Sequence, residues 1–154
     1  MPFNKWLSID VQERRNRIEN LCQGCKSDPD LKPAKTSMRH FKCGNVYLRE
    51  MTAQKDAIIV GKIHKKPQIN IISKGAVVVY TDQGEDVIVA PSTFICPAGT
   101  RRAVVVLEEV VWATVHETES DDLGVIEEEL IAKDYNALEL HLKDNSKERV
   151  KLLG

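Results

Sequence analysis

Residues 76–115, AVVVYTDQGEDVIVAPSTFICPAGTRRAVVVLEEVVWATV, hold the pattern that decides the fold. The β-branched runs AVVVY, DVIVA, AVVVL and VVWATV alternate with Asp, Gln-Gly and Pro turn signals, and nothing between them has helical spacing. TDQGED (81–86) reads as a tight hairpin turn between the first two runs. The same texture continues upstream through INII (69–72), AIIVGKI (57–63) and VYLREM (46–51). Seven or eight strands in about seventy residues, with no helix between them, imply an antiparallel sandwich or barrel, so the chain is expected to be mainly β.

Outside residues 46–117 the spacing changes. Val11, Ile18, Leu21, Cys22 and Cys25 recur at helical intervals, with Ser8 and Asp10 placed to cap the start, so an amphipathic helix is expected over 9–23. KSDPDLKPAKTSMRHFKCGN (26–45) has two prolines and no period, and reads as loop. After Ser120, taken as an N-cap, Leu123, Ile126, Leu130 and Ile131 share a helical face, which predicts a helix over 121–132 packed on the outside of the barrel. The remainder predicts a short element near 136–142 and a fraying tail. Three segments result: a helix and Cys/His-containing loop (1–45), a β-barrel (46–117) and a helical segment with tail (118–154).

One barrel with appendages suits 154 residues. A net charge of −1 offers no general attraction to nucleic acid or anionic membrane, so any charged-ligand site must be local. No run is long and apolar enough to span a bilayer, and MPFNKWLSID lacks the pattern of a secretory signal, so a cytoplasmic protein is expected. Four unevenly spaced cysteines do not suggest a disulfide scaffold.

GKIHKKPQINIISKG (61–75), followed by APSTFICPAGTRRAVVVLEEVVWATVH (90–116), resembles the two motifs of the cupin superfamily. The first motif there runs G, five residues, H-x-H, three or four residues, E, six residues, G; the second contains P-x-G-x-x-H. Counting back from Gly75 puts Gln68 at the glutamate, His64 at the second histidine and Lys62 at the first, while Arg102 stands at the histidine of the second motif. The resemblance implies a jelly-roll barrel in which the two motifs face each other across the lumen. The phrasing AP-x-TF-x-x-P-A-G-T-x-R is also similar to small cupin-like proteins of tailed bacteriophages, which would place the protein in the host cytoplasm.

One of four ligand positions keeps a usual metal-binding side chain, and a lysine or arginine offers no lone pair and repels a divalent cation, so no cupin-type catalytic metal is expected. Lys62, His64, Gln68 and Arg102 instead supply donors suited to phosphate or carboxylate, which points to an anionic small ligand such as a nucleotide or sugar acid. Blander assignments exist for each: Lys62 at a barrel rim, Arg102 paired with Glu108 or Glu109, His64 a hydrogen-bonded barrel histidine, and His116 a strand-end residue. Cys96 reads as a buried small hydrophobe.

Cys22-x2-Cys25 and His40-x2-Cys43 bracket the polar loop with soft ligands in the spacing of a structural zinc site, although Cys22 and Cys25 at i and i+3 could equally pack inward. No phosphate loop, nucleophile elbow or Ser/His/Asp ordering is present, and Glu127–Glu129 read as a solvated helix face. The expected function is therefore a non-catalytic binding module that forms a homodimer or higher homo-oligomer through edge strands. The alternatives are a cupin enzyme, metal-dependent or an isomerase using His64 as general base, and a structural phage-type accessory protein.

Overall fold

The computed structural model describes residues 10–32 and 34–153, with side chains up to residue 146. Nine strands and three helices follow in the order α1 (Val11–Ser27), β1 (Thr36–Cys43), β2 (Val46–Ala53), β3 (Ile58–Val60), β4 (Ile63–His64), β5 (Gln68–Thr81), β6 (Gly84–Val89), β7 (Ser92–Cys96), β8 (Ala103–Glu117), α2 (Leu123–Leu130), β9 (Ile131–Ala132) and α3 (Tyr135–Leu153). No helix among the described residues is long and apolar enough to cross a membrane.

Two long strands organise the sheet. β5 (14 residues) and β8 (15 residues) pair along their whole length, and each changes its outer neighbour part-way. The N-terminal part of β5 pairs with β7 and the C-terminal part of β8 with β2; beyond the bend, β5 pairs with β6 and β8 with β3. Register shifts between Ile72 and Val77 mark the bend. Gly75 sits there at φ +90°, where a Cβ would lie 2.1 Å from the Glu109 carbonyl oxygen, so only glycine lets the two strands stay this close. The bend folds one antiparallel sheet into two facing layers, a jelly roll whose edges are not joined by a ladder.

Between the layers lies a core of Ala53, Ile72, Val77, Val79, Val104, Val106, Val110 and Trp112, the inward half of the β-branched runs. The turn in TDQGED forms as the spacing predicts, with Thr81 opposite Gly84.

Other elements differ from the expectations. α1 runs to Ser27, four residues beyond the anticipated end, with Asp10 at its N-cap; Ser8 lies outside the described residues. The segment expected as loop contains β1, which forms a hairpin with β2 across Gly44 at φ +56°. Nearly every β1 residue is exposed, and its apolar residues Met38 and Phe41 fall on opposite faces, so no hydrophobic alternation announced a strand. α2 is capped by Asp122, whose carboxylate accepts from the Val125 amide; Ser120 instead accepts from the Asp122 amide. The short terminal element is a helix to Leu153, begun by the Asp134 carboxylate accepting from the Ala137 amide and anchored by Leu138 against Ile63 and Ala132.

Candidate functional site

Pleat and register together determine which side chains meet inside. On β2, Tyr47, Arg49, Met51 and Ala53 share the inward face with Trp112, Thr114 and His116 on β8. The ladders align Arg49 with Thr114 and Asn70, and Tyr47 with His116. A cavity of about 260 Å³ opens over this face, lined by Arg49, Lys62, His64, Arg102 and Thr114 among apolar walls. A second cavity, of about 220 Å³, shares Met38, Arg49, Lys62 and His64 with it and is roofed by α2 through Leu123, Ile126, Glu127 and Leu130.

Of the four residues expected to bind ligand, Lys62, His64 and Arg102 line the larger cavity. Gln68 is buried on the same inward face but lines neither cavity, and its amide oxygen has no hydrogen-bond partner. Lys62 sits at the rim, where its ammonium pairs with Glu127 of α2. Arg102 is only 8% exposed and does not reach Glu108 or Glu109; its Nη1 donates to the Cys96 thiol at 3.1 Å and its guanidinium lies 4.9 Å from the centre of the Trp112 ring. Burial lowers its pKa. Glu109 instead pairs with Lys74.

His116 is not a simple strand-end residue. It is 7% exposed and stacks on His64 with centroids 5.2 Å apart and planes 1° from parallel. Tyr47 and His40 continue the stack at 6.0 Å steps, His40 Nδ1 lying 2.7 Å from the Tyr47 hydroxyl. Burial is the main cause that pushes His64 down to about 3, with the neighbouring His116, Arg102, Arg49 and Lys62 adding to it. Burial and then Arg49 push His116 down to about 4. Both rings are therefore neutral at pH 7. His64 Nδ1 is buried without a hydrogen-bond partner.

Arg49, unread in the sequence, stands between the two cavities, and its guanidinium has no hydrogen bond or ion pair among the described residues. The signal that could have found it was the alternation in VYLREM, which puts Tyr47, Arg49 and Met51 on one face.

α2 is not packed on the outside of the sheet. Ile126 and Leu130 close on Tyr47 at the cavity mouth, and Glu127–Glu129 are not merely solvated. Glu127 meets Lys62, the Glu128 carbonyl accepts from Lys65, and Glu129 lies 3.5 Å from Lys66. The KKP turn thus grips the acidic face of the lid.

The residues that the resemblance puts at cupin ligand positions do not fit a metal. Lys62 and Arg102 are cations, Gln68 is an amide, and the stacked planes of His64 and His116 keep their lone pairs from converging. The Cys/His set does not converge either. Cys22 is buried against β8, with its thiol on the Arg102 carbonyl at 3.7 Å; Cys25 is half-buried, His40 is held by Tyr47, and Cys43 is exposed at the end of β1. Among the described residues no group of three or more His, Cys, Asp or Glu is placed to hold a metal ion. Cys96 is buried, as its apolar setting suggested, and also serves as acceptor for Arg102.

Solved structures supply the comparison. The fold is similar to a cupin superfamily protein from Desulfitobacterium hafniense (10% identity, TM-score 0.48, covering 56% of this chain and 81% of that one). It is similar also to a putative ethanolamine utilization protein Q from Salmonella typhimurium (12%, 0.49, 58% and 75%) and to a cupin domain from Bordetella pertussis (12%, 0.45, 59% and 99%). Two of these three are described as cupins. At such identities and scores the likeness says nothing of what this chain binds. No protein-family model matches the sequence, nor does any curated protein.

Proposed function

We propose that this chain is a non-catalytic small-molecule-binding module whose lumen takes an anion between Arg49, His64 and Arg102. The observation that carries the reading is the concentration of positive charge: Arg102 is almost wholly buried with a thiol and a ring for company, and Arg49 has no ion pair among the described residues, the Glu127 carboxylate whose charge it feels being already paired with Lys62. A guanidinium buried as Arg102 is costly until an anion joins it, and it and the half-buried Arg49 can each bind carboxylate or phosphate in a bidentate way. His64 lines the same cavity, and its ring can donate to that anion from whichever nitrogen faces it.

The imidazoles argue against proton transfer as the main task. A general base works best with a pKa near the operating pH, and His64 near 3 and His116 near 4 are several units too weak.

A thermal-shift panel of carboxylates, phosphates and nucleotides tests the proposal. A binding anion at a hundredfold excess over its Kd should stabilise the fold by about 2.7 kcal/mol. Arg102→Met should lose that gain, whereas Arg17→Ala, which removes an exposed α1 side chain paired with Glu13, should keep it. No stabilisation by any anion, or an unchanged response in Arg102→Met, would sink the proposal.

A further inference from the structure

Resting on that reading, the walls of the lumen narrow the ligand class. Beyond Arg49, Lys62, His64 and Arg102, the larger cavity is floored by Met51, Ile59, Val60, Val104 and Trp112, and its neutral polar lining is Thr36 and Thr114. A nucleotide or sugar acid would bring several hydroxyl or ring-nitrogen groups into this space, and two threonines cannot satisfy them; each one left unpaired opposes binding. An apolar body meets matching surface at every point of the floor. We infer that the lumen holds a carboxylate carried on an apolar chain or ring, with the carboxylate on Arg49 and Arg102 and the body over Met51, Val104 and Trp112. Met38 and the α2 side chains Ile126 and Leu130 give the adjoining cavity apolar walls as well.

Calorimetric titration of the full chain with acetate, butanoate, hexanoate, hexanol and gluconate decides this. Affinity should rise from acetate to hexanoate by about fourfold per methylene, the transfer free energy of a buried CH₂. Hexanoate should exceed both hexanol and gluconate. Met51→Gln, which keeps the length of the side chain but makes the floor polar, should flatten the chain-length dependence. If that variant does not fold, the wild-type series decides alone. Gluconate binding more tightly than hexanoate, or equal affinity for acetate and hexanoate, overturns the apolar body but leaves the anion site standing. Hexanol equal to hexanoate overturns the anion site, and no binding by any acid overturns both.

A separate observation concerns the opposite face of the sheet. The registers align Phe41, Leu48, Val115, Ile69 and Ile95 in one row across β1, β2, β8, β5 and β7. All five point away from the lumen; Phe41, Ile69 and Ile95 are 47%, 46% and 72% exposed, with the Arg39 guanidinium 5.1 Å from the centre of the Phe41 ring. The flanking row carries Arg39 and Glu50, already paired with each other at 2.8 Å. This face therefore offers no free cation to a phosphate surface, and its self-neutralised rim suits a second copy. At about 4.8 Å spacing, three strands about 27 Å long and two about 17 Å long give a footprint of about 550 Å², a little above the roughly 500 Å² per partner that a specific interface must clear. The geometry points to a face-to-face homodimer through this row rather than through sheet edges. Sedimentation equilibrium should give a dimer for the wild type and a folded monomer for Phe41→Asp/Ile95→Asp. A monomeric wild type, or a dimer that survives both substitutions, overturns it.

Discussion

Acidification is the sharpest probe of the stacked histidines. In the unfolded chain each imidazole titrates near 6.5, whereas in the fold His116 lies near 4 and His64 near 3. Between those limits the unfolded state binds protons that the folded state refuses, so stability rises with pH and is lost as pH falls from about 6.5 toward 4. Each group contributes a slope of about 1.4 kcal/mol per pH unit, so both together approach about 2.7 kcal/mol per unit near pH 5. Over the whole window the sum is several kcal/mol, comparable with the total stability of a small domain, and the protein should unfold well above pH 4. Glu109 and Glu127, whose pKa values are lowered chiefly by hydrogen bonds from Lys74 and Lys62, add their own loss only below about 4.5, so the two causes separate by pH. Urea unfolding at pH 7, 6.5, 6, 5.5 and 5 reads the slope directly. His116→Gln should remove one proton from it and also relieve His64 of its neighbour. A flat stability profile between pH 6.5 and 5, or a slope unchanged in His116→Gln, refutes the account of a buried neutral pair.

Gly75→Ala should cost more than 3 kcal/mol, since positive φ adds to a Cβ 2.1 Å from a backbone oxygen, whereas Gly44→Ala, with open space around it, should cost about 1 kcal/mol; equal shifts in urea midpoint would contradict the role given to the bend. Asn70→Leu should destabilise by about 1–3 kcal/mol because the buried Trp112 indole N–H donates to its side-chain oxygen at 2.9 Å, and double substitution with Trp112→Phe should recover part of that loss in denaturation experiments. With Cys22 packed on β8 and His40 on Tyr47, elemental analysis of protein purified under reducing conditions without chelator should find less than stoichiometric zinc; a full equivalent lost in Cys22→Ser would restore the zinc site that the spacing suggested.

What the sequence determined by itself was the layered β-structure and the hairpin turn, because period-two burial and turn chemistry are local properties of β5, β6 and β8. It also marked Lys62, His64 and Arg102, through the resemblance of GKIHKK and PAGTRR to the cupin motifs, and all three line the larger cavity. β1 escaped because a strand exposed on both faces has no hydrophobic period to display. Arg49 and His116 escaped as site residues for a different reason. Each acquires its role from cross-strand register, Arg49 opposite Thr114 and Tyr47 opposite His116, which pairs residues more than sixty positions apart. The same non-locality acts on Lys62 and Cys22. Only the folded chain sets Glu127 of α2 beside Lys62, and only the packing of α1 through Ile18 and Cys22 brings the Cys22 thiol onto β8.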